Sequence, residues 1–361
     1  MSVHDDDSKF LVPVERGGLA KESTSALIVR GLQDLANMPQ WSIRKLWDGK
    51  RVSASISPFG QVALYSSDVF GQIKVFDPRC TDPLQFVLQG SDYRTDWEMH
   101  TACFSWSPDG NFLLMAENSS TKNEPQQYRN QVVLLDLRTG EFRNLRPTTQ
   151  YRWSLFSEWS NSGRYAAIGR AFDSAEPIIL WSFDKGRAID CKYAANNVCD
   201  SIVWRPAFSP DERFLAALCY EIPSRSILVI FEVPSLKLVK RFELNFGPTV
   251  INWRSDQKNL LLAGVDSSEL TAVFDLEREE VLRLPFLSSY FAECNPVRPI
   301  AAFGTHLRMT IGDLALGTIL SDQSLDADDS ISDMSWSSDG NAFHAISMLG
   351  RAYTCSLLGR G

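Results

Sequence analysis

Three stretches of this chain set a large aromatic ring close to an arginine: Tyr93-Arg94-Thr95-Asp96-Trp97, Tyr151-Arg152-Trp153 and Val203-Trp204-Arg205. A fourth, Tyr290-Phe291, carries two rings and no arginine. The chemistry these types suit is recognition. A Trp or Tyr buries much apolar area with few rotors to freeze, and a guanidinium forks onto a carboxylate through two parallel hydrogen bonds. Both types are enriched among the residues that dominate binding energy. The same residues also suit a structural use, with rings filling gaps and arginines pairing with Asp96, Asp200 or Glu158. Tyr93, Arg94, Trp97, Tyr151, Arg152, Trp153, Trp204, Arg205 and Tyr290 are the candidate partner-binding residues.

Catalytic patterns are scarcer. The histidines are His4, His100, His306 and His344, and of these His100 is the candidate for a site at a channel mouth. No His-x-His, His-Glu-x-x-His or Cys-x-x-Cys spacing occurs, nor do Gly-x-Ser-x-Gly, the Walker A loop or the Rossmann glycines. The acidic run from Asp322 to Asp333 lacks the glycine and distal glutamate of a calcium loop, so it reads as a solvated loop. No metal and no cofactor is expected.

Composition narrows the partners. A net charge of −8 and a pI near 5.2 argue against nucleic acid, which calls for a basic excess. No apolar run is long enough to span a bilayer, and Met1–Asp7 is acidic instead of signal-like, so no membrane association is expected. Seven cysteines (80, 103, 191, 199, 219, 294, 355), several inside apolar runs, fit a reducing compartment, cytoplasmic or nuclear.

The elements that must position these residues are written as a repeat. Residues 1–40 read as a polar extension, with Leu27, Ile28, Leu32 and Leu35 on one face of a short helix expected within 24–37. From 41 to 361 one hairpin recurs, its best copy being Phe104-Ser105-Trp106-Ser107-Pro108-Asp109-Gly110-Asn111-Phe112. Aligned on the residue before the turn, the series is Ser57, Ser107, Ser160, Ser209, Arg254, Asn295 and Ser337. A third apolar strand follows each hairpin (Ile73–Asp77, Val132–Asp136, Ile178–Ser182, Leu228–Glu232, Thr271–Asp275, Met309–Asp313, Ala352–Ser356), then a turn and a fourth. Four short strands at this period predict an all-β, seven-bladed β-propeller of antiparallel blades.

The repeat resembles the WD40 type, and a TolB-like propeller shares its Ser-Pro-Asp-Gly turn. The Trp-Asp dipeptide that closes the third strand in WD40 repeats stands here as Phe76-Asp77, Leu135-Asp136, Trp181-Ser182, Phe231-Glu232 and Phe274-Asp275. The family's Gly-His pair is missing. This resemblance implies a non-catalytic scaffold or adaptor that binds a protein or peptide. The alternative is a hydrolase-type propeller, lactonase-like or peptidase-associated, with three or more Asp, Glu, His or Asn side chains and a metal in the central channel. Two further expectations follow. The last blade has only three strands before the chain ends, so Trp41–Trp47 should supply its fourth and remove the open edge. The loops leading into the innermost strands, which hold the aromatic and arginine residues, should share one face with the polar excursion Glu117–Asn130, itself read as disordered loop. The recurrent turns then mark the opposite, purely structural face.

Overall fold

The computed structural model describes residues 39–47, 53–65, 72–78, 82–87, 97–121, 128–149, 156–169, 178–190, 203–221, 225–264, 271–284, 289, 291–305 and 308–357, all within the compact unit Pro39–Gly361. The helix expected at 24–37 lies outside the described residues.

Strand β1 (Gln40–Lys45) comes first. Blade 1 holds β2 (Ser53–Ile56), β3 (Val62–Tyr65), β4 (Gln72–Phe76) and β5 (Leu84–Val87). Blade 2 holds β6 (Trp97–Trp106), β7 (Phe112–Thr121), β8 (Tyr128–Asp136) and β9 (Phe142–Thr149). Blade 3 holds β10 (Phe156–Trp159), β11 (Tyr165–Gly169), β12 (Ile178–Ser182) and β13 (Arg187–Asp190). Blade 4 holds β14 (Val203–Phe208), β15 (Phe214–Glu221), β16 (Arg225–Glu232) and β17 (Lys237–Leu244). Blade 5 holds β18 (Val250–Trp253), β19 (Asn259–Ala263), β20 (Thr271–Asp275) and β21 (Glu280–Leu284). Blade 6 holds β22 (Phe291–Cys294), β23 (Ile300–Gly304), β24 (Arg308–Asp313) and β25 (Thr318–Ser324). Blade 7 holds β26 (Ile331–Trp336), β27 (Ala342–Ser347) and β28 (Arg351–Ser356). Every sheet is four-stranded, and the seven of them form the predicted β-propeller.

The recurrent hairpin folds on local chemistry. Ser107 Oγ accepts the N–H of Phe112 at 2.9 Å and donates to Asp109 at 2.5 Å, while Asp109 accepts the N–H of Asn111 at 3.0 Å. Ser209 and Ser337 repeat the arrangement with Asp211 and Asp339. Gly110 takes the left-handed φ of 68° that closes the turn. Asn295 does the serine's work in blade 6, its Oδ1 accepting from Val297 and Arg298 at 2.9 Å.

Packing explains why these strands are apolar at successive positions. Leu113 and Met115 face blade 1, against Ala63, Tyr65, Ile73 and Val75. Leu114 and Ala116, one step along, face blade 3, against Trp159, Ala166 and Ile168. Each blade is thus buried on both faces, and each fully buried leucine contributes about 2 kcal/mol. The residue before each serine position is often Trp, and its indole ties a blade to the one before. Trp159 Nε1 donates to Ser105 O at 3.1 Å, Trp253 to Ala207 O at 2.8 Å and Trp336 to Glu293 O at 3.0 Å. Trp106 Nε1, the equivalent in blade 2, has no partner among the described residues.

The ring closes as expected. β1 pairs antiparallel with β28, from Gln40 opposite Ser356 to Lys45 opposite Arg351. Trp41 packs edge-on to Phe343 at 6.1 Å and donates its indole N–H to Ser321 at 2.8 Å. The pairing stops at Lys45; Trp47 lies beyond it, under the turn at Gly350 and with Lys74 Nζ 4.9 Å above its ring.

One expectation is corrected. The polar stretch Glu117–Asn130 is mostly sheet: β7 and β8 stay paired from Phe112 opposite Asp136 up to Ser120 opposite Tyr128. A ladder whose register is set by the buried Leu114–Leu134 pair propagates through backbone bonds that any side chain allows.

Candidate functional site at the channel and its mouth

Antiparallel neighbours send successive connections to alternate ends of the ring. The serine turns and the third-to-fourth turns share one end. The loops that lead into the innermost strands, here called mouth loops, share the other with the β7–β8 hairpin.

The candidate recognition residues divide between strand and undescribed loop. Trp97 is the first residue of β6, opposite Thr121, and Trp204 and Arg205 lie inside β14, where a register shift follows Trp204. These three are therefore strand positions. Tyr93, Arg94, Tyr151, Arg152, Trp153 and Tyr290 lie outside the described residues.

The inner strands of all seven blades line one central cavity of about 480 Å³, which extends to the turn end, where the residue after each serine position, from Pro58 to Ser338, also lines it. Counting two residues back from each serine position gives Ser55, Ser105, Glu158, Ala207, Asn252, Glu293 and Ser335, and all seven line it. The period of two along each inner strand places like positions on one circle. Alignment on the turns would have revealed this ring, together with the Trp positions beside it.

The polar groups of the ring reach sideways. Asn252 Nδ2 donates to Glu293 Oε2 at 3.0 Å, and Asn252 Oδ1 accepts the N–H of Cys294 at 3.2 Å, joining blades 5 and 6. Asp333 Oδ2 accepts from the Ser55 hydroxyl at 2.5 Å and from the N–H of Ile56 at 3.1 Å, joining blade 7 to blade 1. Beside them, Ser332 donates to Ala54 O at 2.8 Å and accepts from Ala54 N at 3.2 Å. Glu158, Asn252, Glu293 and Asp333 thus converge on the channel, yet among the described residues no three His, Cys, Asp or Glu side chains gather to hold a metal ion. Burial pushes the Cys294 thiol well above its usual range, so it is no thiolate nucleophile.

His344, on β27, is half-buried, with Nδ1 3.1 Å from Thr354 Oγ1 and its ring close under the Gly60 turn. Burial lowers its imidazole below 6.5. It is a seam residue. His100 lies on β6, and His4 and His306 are outside the described residues.

The acidic run 322–333 is a solvated loop only in part. Asp322 lies on β25 and accepts from Thr310 at 3.1 Å, with Arg308 3.4 Å away. Asp329 is buried against Arg351 at 2.8 Å, and Arg351 also reaches Asp326 at 2.6 Å. Residues 326–328 keep the exposed, loop character expected of the whole. The side-chain partners of Asp322, Asp329 and Asp333 come from positions 12 to 278 residues away, which no local pattern announces.

No protein-family model and no curated protein matches this chain.

Proposed function

We propose that this propeller is a non-catalytic scaffold or adaptor of the WD40-repeat kind, binding a protein or peptide through its mouth loops. The observation that carries the reading is the recurrence of an aromatic beside an arginine in the lead-ins, or at the start of the innermost strands, of blades 2, 3 and 4. Arg94 with Trp97, Arg152 with Trp153 and Arg205 with Trp204 are the anchors, with Tyr93, Tyr151 and Tyr290 around them.

Two further observations support it. The channel's carboxylates at Glu293 and Asp333 are engaged between neighbouring blades, where a hydrolase would turn them on substrate or metal. The aspartate that ends the third strand, where a WD40 repeat has its Trp-Asp, caps the following turn: Asp275 accepts from Glu277 and Arg278, and Asp313 from Ala315 and Leu316. Buried free thiols at Cys219, Cys294 and Cys355 are consistent with a reducing, cytoplasmic or nuclear setting.

The test is affinity purification from the native host, comparing the wild-type chain with the Arg152→Ala/Trp153→Ala variant. The double variant should lose the partner while melting at the same temperature. Equal recovery by both chains would remove the mouth loops from the interface.

A further inference from the structure

The turn end of the ring, which the repeat marks as scaffold, is sealed unevenly. Between blades 3 and 4, Asn161 donates to Pro210 O at 3.2 Å, and Ser162 bonds Glu212 through both its hydroxyl, at 2.7 Å, and its backbone N–H. Between blades 6 and 7, Asn295 donates to Gly340 O at 2.8 Å and Arg298 to Asn341 at 2.6 Å. Phe59 and Gln61 of blade 1 press on Gly110 of blade 2, and His344 of blade 7 on Gly60 of blade 1. Between the turns of blades 2 and 3 no hydrogen bond is made among the described residues. The nearest approach to Gly163 is Pro108 Cδ, 3.8 Å from where a β-carbon would stand. What is left is a groove of about 440 Å³.

Its walls are specific. Trp159 and Phe183 stack face to face at 4.7 Å with planes 8° apart, and Phe112 and Pro108 complete an apolar lining. The charged group among its described lining residues is the carboxylate of Asp109. Asp109 spends Oδ1 on Ser107 and Asn111 N–H but gives Oδ2 a single partner, the Asn111 amide, so that oxygen can accept another donor. Turn hydrogen bonds hold this carboxyl below 3.8 against the opposing pull of desolvation, so it is ionised at neutral pH. The neighbourhood already accepts cations on rings: Arg138 sits 4.9 Å above Phe112, and Arg164 and Arg213 repeat this over Tyr165 and Phe214.

An aromatic, apolar slot with one carboxylate at its lip complements a cation on an apolar stem. We propose that the groove between the turns of blades 2 and 3 docks an arginine side chain of a partner peptide, its stem against Trp159 and Phe112 and its guanidinium on Asp109. This is a second contact surface, at the opposite end of the ring from the mouth loops, and it stands or falls independently of them.

The probe is N-acetyl-arginine methylamide, titrated into the full chain and followed by NMR at the Trp159 indole and Gly163 amide. Saturable shifts at both positions are expected, with affinity in the millimolar range for so small a fragment. N-acetyl-citrulline methylamide, equal in shape but neutral, should bind at least fivefold more weakly, and N-acetyl-leucine methylamide likewise. Asp109→Asn, which preserves the turn's acceptor, should bring arginine down to the citrulline level, and Asp109→Glu should keep most of the affinity. Equal binding of arginine and citrulline, an unaffected Asp109→Asn chain, or shifts confined to the channel would each overturn the assignment.

Discussion

Arg351 holds two carboxylates at once: Nη1 donates to Asp329 at 2.8 Å, and Nη2 lies 2.6 Å from Asp326. The Asp329 side chain is fully buried and also accepts the N–H groups of Ser330, at 2.9 Å, and Leu349, at 3.1 Å. One carboxylate therefore ties the loop before β26 to the turn between β27 and β28. Removing the cation strands a charge that water cannot reach. Arg351→Ala is expected to lower the unfolding free energy by about 2–4 kcal/mol. Asp326, with its side chain 64% exposed, should matter far less, and Asp326→Ala should cost under about 1 kcal/mol. Urea denaturation at neutral pH reads both.

The closure at β1 makes a prediction about the whole ring. A chain beginning at Gly49 loses the β1–β28 ladder and the Trp41–Phe343 contact, and exposes an edge. It should melt well below the full chain and aggregate on heating. Equal melting temperatures would mean that the seam contributes nothing.

How much of this was legible in the sequence depended on how far each residue's partner lies along the chain. The turns at Ser107-Pro108-Asp109-Gly110 and its copies were readable because their hydrogen bonds close within five residues. Closure was readable because blade 7 could be counted one strand short. The 322–333 stretch misled in part because Asp329 finds Arg351 across a hairpin, and Asp333 finds Ser55 across the seam between blades 7 and 1. The 117–130 stretch misled because polar composition does not veto a ladder already in register. The candidate recognition residues were readable by type alone, and Trp97, Trp204 and Arg205 sit in strands where loop was expected.

Backbone strain in the turns gives a pair of opposite effects. Gln257 takes a left-handed φ of 61° at the position where Gly110 and Gly340 stand in other blades. Gln257→Gly relieves a cost of about 1–2 kcal/mol but loosens the unfolded chain, for a net gain of about 0.5 kcal/mol. Gly110→Ala should go the other way. A β-carbon there would stand 2.5 Å from Gln61 Oε1 and 2.9 Å from Phe59, and a loss of about 2 kcal/mol is expected. Paired urea titrations settle both signs.

Acid should open the ring in two stages. His344 is held neutral by burial, so the unfolded chain takes up a proton first as pH falls past 6.5, and stability declines from there. Above 6.5 this group contributes no pH dependence. The turn aspartates act lower. Asp339 is held below 3.8 by the Ser337 hydroxyl and the Asn341 N–H, and its contribution, present above 3.8, fades as pH drops further. His344→Gln should flatten melting temperature between about pH 7 and pH 5 while leaving the steeper loss at lower pH. An unchanged slope in that window would take His344 out of the explanation.

The most direct measurement is hydrogen exchange on the ring with its affinity-purified partner bound. Slowed exchange is expected in peptides covering 93–97, 151–153, 203–205 and 290, with the turns at 57–60, 209–212 and 337–340 unchanged. Slowing confined to those turns, with the mouth peptides unaltered, would contradict the assignment of the partner to the mouth loops.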